Sequence, residues 1–168
     1  RTDDYGGSAE NRVRLIREIL EGIKEACGQE FPVLLKINSN TTEDDEKYVE
    51  DLIRMLHVLK DAGLDAVELS GTGFSNLKDV PTPFFLKAAT KVRQEVDLPI
   101  LLVGGVRTIE DVQRALDAGI EAVSMSRPFI SDPDLVVKFK RGEAARCIHC
   151  NQCFVLPKTT GKRCVFEK

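Results

Sequence analysis

Two stretches decide the reading of this chain: Pro99-Ile-Leu-Leu-Val-Gly-Gly-Val106 and Ala122-Val-Ser-Met-Ser-Arg-Pro-Phe-Ile130. Each begins as a run of strand-forming apolar residues and breaks into small or cationic residues at its C-terminal end. Gly104 and Gly105 offer bare backbone N–H groups and let a ligand approach closely. Ser126 and Arg127 add a hydroxyl and a guanidinium, a pair suited to a phosphate.

Working outward, the same unit recurs. Residues 8–27 read as a helix, with Val13, Ile16, Leu20, Ile23 and Cys27 at helical spacing, Ser8 as N-cap and Gly28 as stop. In that stripe Cys27 reads as a small core residue. Phe31-Pro-Val-Leu-Leu-Lys-Ile37 is almost wholly apolar, the pattern of a strand buried on both faces. Thr42 or Asp44 caps a second helix, whose stripe is Val49, Leu52, Ile53, Leu56 and Leu59. Strands follow at 66–70, 100–103 and 122–126, with helices at 84–96, 108–118 and 132–140. The segment Ala62-Gly-Leu-Asp-Ala-Val-Glu-Leu-Ser70 is echoed by Ala118-Gly-Ile-Glu-Ala-Val-Ser-Met-Ser126, a weak internal repeat.

Such alternation predicts an α/β fold with parallel strands and right-handed crossovers. Glycine turns and cations after the last two strands are where a (β/α)₈ barrel holds a phosphate. Four strands cannot close such a barrel, so the expectation is half a barrel or an open sheet. In a half barrel Leu35, Val67, Leu102 and Ser124, or their neighbours, would face water. Residues 1–143 form the βα region and 144–168 a cysteine-bearing tail.

Composition excludes several classes. The 168 residues suffice for one domain, and 42% hydrophobic with 30% charged residues is ordinary for a globular chain. A net charge of −3, without a basic block, argues against nucleic-acid binding. No apolar run approaches the roughly 20 residues of a membrane span. The opening Arg1-Thr-Asp-Asp-Tyr-Gly-Gly7 has no signal-peptide character and reads like the interior of a longer protein. Five cysteines without signs of secretion point to a reducing, cytoplasmic compartment.

Arg1-Thr-Asp-Asp-Tyr-Gly-Gly-Ser-Ala-Glu-Asn-Arg12, Gly104-Gly105, Ser126-Arg127-Pro128-Phe129 and Cys147-x-x-Cys150-Asn-Gln occur in the order found in the old yellow enzyme or NADH:flavin oxidoreductase family. The resemblance covers essentially the whole chain. It implies the second half of an FMN-containing (β/α)₈ barrel, with FMN as cofactor and with NAD(P)H and a small-molecule acceptor as reactants. By resemblance, Gly104, Gly105, Ser126 and Arg127 hold the FMN phosphate. Lys36 stands beside the flavin ring, where a cation stabilises negative charge. By the same resemblance the family's substrate-binding His/His or His/Asn pair belongs to the fourth strand, before residue 1, so no catalytic residue is assigned. A homo-oligomer, or pairing with an N-terminal half, is the expected assembly.

Each feature has a plainer reading. Gly104-Gly105 also suits a tight turn, Arg127 a surface ion pair, and Lys36 an ion pair with Glu68 on the adjacent strand. His57 reads as a helix-surface residue. The Glu43–Glu46 and Asp132–Asp134 acids read as helix N-terminal charges. Cys147-x2-Cys150-x2-Cys153-x10-Cys164 has metal-ligand spacing, for zinc or a [4Fe–4S] cluster, with four reduced thiols as the alternative. His149 falls inside that motif. Two other functional classes remain open: a non-catalytic half-barrel module, and a different phosphate-binding barrel enzyme such as a lyase or isomerase.

Overall fold

The computed structural model describes residues 1–39, 45–73, 81–155, 161 and 163–166. The elements run α1 (Ala9–Arg12), α2 (Arg14–Cys27), β1 (Leu34–Asn38), α3 (Asp45–Asp61), β2 (Ala66–Ser70), α4 (Leu86–Glu95), β3 (Ile100–Val103), α5 (Ile109–Asp117), β4 (Ala122–Ser124), α6 (Arg127–Ser131), α7 (Leu135–Lys140) and α8 (Gln152–Val155). The four strands form one sheet in the order β1-β2-β3-β4, and every pairing is parallel. The repeat seen in the sequence is visible in the backbone. Gly63 and Gly119 both take positive φ, and each is followed by a strand.

Local chemistry sets most boundaries. Ser8 accepts a hydrogen bond from the Asn11 N–H and so starts α1. Thr108 starts α5 through a reciprocal capping box with Asp111. The single helix expected over 8–27 is broken at Val13, which is fully buried and non-helical in φ and ψ. The caps expected at Thr42 and Asp44 lie outside the described residues.

Register decides which face carries what. Lys36, Glu68, Leu101 and Ala122 are aligned across the sheet. They share one face with Leu34, Asn38, Ser70, Val103 and Ser124. The opposite face carries Leu35, Ile37, Val67, Leu69, Ile100 and Leu102, which pack against Leu52, Leu56, Leu59, Ala89 and Val92 of the helices. Leu35, Val67 and Leu102 are therefore covered by helices, and the alternative given for them, their neighbours, applies. Their neighbours Lys36, Glu68 and Leu101, with Ser124, face the open side. The strand expected to be buried on both faces is β1, yet Leu34 is 56% exposed because nothing described packs on that face.

Cys27 is also exposed, not in the core. Cys27 follows Leu20 and Lys24 on the inner face of α2 but is the last residue of the helix, beyond the buried part of that face. Lys24 is buried, and its Nζ donates to the Gln29 and Phe31 carbonyls and to Asp65. Those bonds satisfy the buried ammonium and tie the end of α2 to the entrance of β2. His57 is exposed on α3, as expected. Among the described residues no helix is long and apolar enough to cross a membrane.

Between α6 and α7 the acids do more than cap. Asp134 is the α7 N-cap without a side-chain bond, whereas Asp132 is fully buried. Asp132 accepts from Ser131 Oγ, Lys138 Nζ, the Arg146 backbone N–H and Arg146 Nε. This knot fastens the start of the tail over a second small core of Leu135, Phe139, Ala145 and Cys147.

Candidate functional site

The cleft of interest lies at the C-terminal ends of β3 and β4. After Val103 the chain turns through Gly104 (φ 122°) and Gly105 (φ 83°). A Cβ on Gly104 would lie 2.8 Å from the Phe85 ring, and one on Gly105 would lie 2.9 Å from the Phe84 ring. The Phe84 N–H also donates to the Gly104 carbonyl at 3.1 Å. The glycines are thus required by the aromatic pair packed on them, and they do not by themselves argue for a ligand. Phe84 and Phe85 were expected inside a helix, but α4 begins only at Leu86.

The convergence of the other groups is what marks a site. Gly104, Gly105, Ser124, Ser126, Arg127 and His149 line one cleft. Ser126 is exposed, and its hydroxyl makes no capping bond to α6. Arg127 is half-buried and donates from Nη1 to the Asn151 side-chain oxygen. His149 is buried, with its ring edge-on to Phe84 at 5.2 Å between centroids. Burial, then the nearby Arg127 and Arg107 cations, push its pKa down to about 4. The imidazole is therefore neutral at neutral pH. Arg107 carries a buried Nε with no hydrogen-bond partner among the described residues.

Lys36 stands apart from this cleft. It is 60% exposed on the open sheet face and ion-paired with Glu68. Glu68 in turn accepts from Ser124 Oγ at 3.0 Å. Ser124 thus links the lysine's network to the cleft.

Cys147, Cys150, Cys153 and Cys164 line a second cavity, shared with Arg127 and Ile130. All five cysteines are free thiols, and burial pushes the Cys147 thiol up. Among the described residues no group of three or more His, Cys, Asp or Glu is gathered closely enough to hold a metal ion. The zinc and [4Fe–4S] expectations do not fit this arrangement. His149, considered as a further ligand, lies against Phe84 instead.

Of the expected residues, Gly104, Gly105, Ser126 and Arg127 come together and Lys36 does not join them. Missed were Phe84, His149, Asn151, Asp132 and Arg107. The Phe84-Phe85 pair opposite two glycines offered a packing signal, and Ser131-Asp132-Pro133 a turn signal. Asn151 stood in the Cys147-x-x-Cys150-Asn-Gln string, which announced no contact with Arg127.

A family profile described as "NADH:flavin oxidoreductase / NADH oxidase family" matches residues 1–145. A 4,4'-dithiodibutanoate disulfide reductase of Rhodococcus erythropolis is 30% identical, over 98% of this chain and 50% of its own length. An NADH oxidase of Thermoanaerobacter brockii is 27% identical, over 90% of this chain and 25% of its own. Among solved structures, the old yellow enzyme homologue from Zymomonas mobilis superposes with a TM-score of 0.63 at 27% identity. That match covers 84% of this chain and 40% of the other. The chain spans half or less of the length of these relatives.

Proposed function

The chain belongs to the NADH:flavin oxidoreductase / NADH oxidase family, and on that premise we propose that it is the phosphate-holding part of an FMN-dependent NAD(P)H oxidoreductase. The observation that carries this reading is the convergence of Gly104, Gly105, Ser126 and Arg127 on one cleft beyond adjacent strand ends. A phosphate needs several donors and a cation in one place. The turn after β3 supplies backbone N–H groups, Ser126 a hydroxyl and Arg127 a guanidinium. The residues fit the FMN phosphate.

FMN, when bound, would supply the hydride chemistry between NAD(P)H and an acceptor such as an activated alkene. This chain's residues would hold and orient it. Arg127 would offset the phosphate charge. Lys36, on the open face, would stabilise negative charge at the ring, and Glu68 would hold its ammonium in place. Buried His149, being neutral, would close the cleft without adding charge. No residue here is proposed as the proton donor to substrate. The unpaired thiols support a reducing compartment, so we place the protein in the cytoplasm.

Replacing Arg127 with alanine tests the site. FMN binding, followed by quenching of flavin fluorescence, should weaken by about 1.5–3 kcal/mol, the scale of hydrogen bonds to a charged group. An unchanged titration would remove Arg127 from the site.

A second reading, assembly, has its own observation. Strands β1 and β4 end the sheet, and the face bearing Leu34, Lys36 and Leu101 has no described layer upon it. Unpaired strand edges favour association. Light scattering should give a dimer or larger oligomer, the simplest being two half barrels about a twofold axis. A monomer that stays dispersed at high concentration would contradict this. The two readings are compatible.

A further inference from the structure

We propose that Asn151 is a positioning residue for Arg127: the tail folds back over the cleft and fixes the guanidinium before the anion arrives. The inference rests on the phosphate reading of the cleft given above. It adds a residue beyond the 1–145 span that the family profile matches.

Three observations carry it. First, Asn151 Oδ1 accepts directly from Arg127 Nη1, across 24 positions of sequence. A guanidinium bears its donors in one rigid plane. Holding one N–H on a fixed amide sets the plane in which the others lie. Second, the acceptor is neutral. A carboxylate in the same place would orient the guanidinium but also cancel the charge an incoming phosphate requires. An amide oxygen orients it and does not itself cancel that charge.

Third, the tail backbone is shaped for this placement. His149 (φ 55°) and Asn151 (φ 60°) both take left-handed conformations, which non-glycine residues rarely adopt. The two turns bring the His149 ring onto Phe84 and the Asn151 amide onto Arg127. The base of the segment is tied to both phosphate turns. The Ala145 N–H donates to the Arg107 carbonyl at 2.8 Å, just after Gly104-Gly105. Arg146 is bound to Asp132 and to the Ser131 carbonyl, just after Arg127. The segment is therefore tied beside both turns and delivers Asn151 to Arg127 at the second of them.

An arginine ordered in advance loses less freedom when its ligand binds, so the expected gain is roughly three- to tenfold in affinity. The test compares FMN with riboflavin, which lacks the phosphate, on the full chain. Asn151→Gly removes the acceptor and keeps a residue at ease with positive φ. It should weaken FMN about three- to tenfold and leave riboflavin unchanged. In an Arg127→Ala background it should do nothing more, since the two residues act as one unit. Equal loss for both flavins, or a loss that persists without Arg127, would overturn the positioning role. So would full FMN affinity in Asn151→Gly while Arg127→Ala is impaired, and that pattern leaves the phosphate reading intact. If Arg127→Ala itself leaves the gap between FMN and riboflavin unchanged, or the chain binds no FMN, the phosphate reading fails and this inference falls with it.

Discussion

Asp132→Ala is expected to destabilise the chain by about 3 kcal/mol and to release the tail. The carboxylate is fully buried and holds Ser131, Lys138 and both the backbone and side chain of Arg146. Removing one partner of a buried ion pair costs about 3–5 kcal/mol, because the remaining charges stay desolvated. The lower end applies here because Arg146 is 49% exposed and regains water. Urea denaturation of the wild type and variant at neutral pH measures the difference. A loss below about 1 kcal/mol, the scale of a surface ion pair, would show that the knot is not a structural anchor.

The same group sets an acid limit. Burial alone would raise the Asp132 pKa, but hydrogen bonds from Lys138, Ser131 and Arg146 outweigh it and hold the carboxyl well below the usual range. A carboxyl lowered on folding stabilises fully above its unfolded pKa, near 4, and that stability is lost as pH falls towards the lowered value. Wild-type stability should therefore drop below about pH 4. Asp132→Asn should show a shallower drop over the same window.

Gly105→Ala is expected to be comparably severe, by about 2–5 kcal/mol. Its Cβ would lie 2.9 Å from the Phe84 ring and 3.0 Å from the Phe84 backbone nitrogen. These are the root of the ring and the main chain, so no flexible side-chain end can give way. Overpacking costs about 1–3 kcal/mol, and a left-handed alanine adds about 1–2 kcal/mol. The loss should appear in thermal unfolding whether or not a ligand is present. If Gly105→Ala folds with wild-type stability and only ligand affinity falls, the glycine serves the ligand and not Phe84.

The fold was legible where periodicity and punctuation agreed. Thr108, Gly63 and Gly119 each mark a boundary that the backbone respects. The parallel order followed from the alternation of strands and helices. Only β3 is apolar on both faces and offers no period-2 contrast; in β1 and β2 the charges Lys36 and Glu68 stand on the open face. Of the two alternatives held open for each strand, the neighbours of Leu35, Val67 and Leu102 lie on the open face, together with Ser124. Cys27 was misplaced because it keeps the spacing of the buried stripe yet ends α2, where helical spacing alone does not say that the core continues.

The site was legible in part. Glycine, serine and arginine at strand ends carry their chemistry locally, so Gly104, Gly105, Ser126 and Arg127 could be named from sequence. Asp132, His149 and Asn151 act through partners far along the chain, and no local pattern announces such a contact. The cysteine spacing announced a metal, and the described thiols share a cavity without gathering to hold one. Spacing fixes which residues a tail can bring near one another, but not the close convergence that coordination demands.

The central claim is that this chain holds a flavin through its phosphate. The most direct measurement is an equilibrium titration of the wild-type chain with FMN and with riboflavin, repeated with inorganic phosphate as competitor. FMN should bind at least about tenfold more tightly than riboflavin, the difference expected of one charged hydrogen-bonding group, and inorganic phosphate should erase that advantage. Equal affinity for the two flavins, or an FMN advantage that phosphate does not touch, would contradict the account.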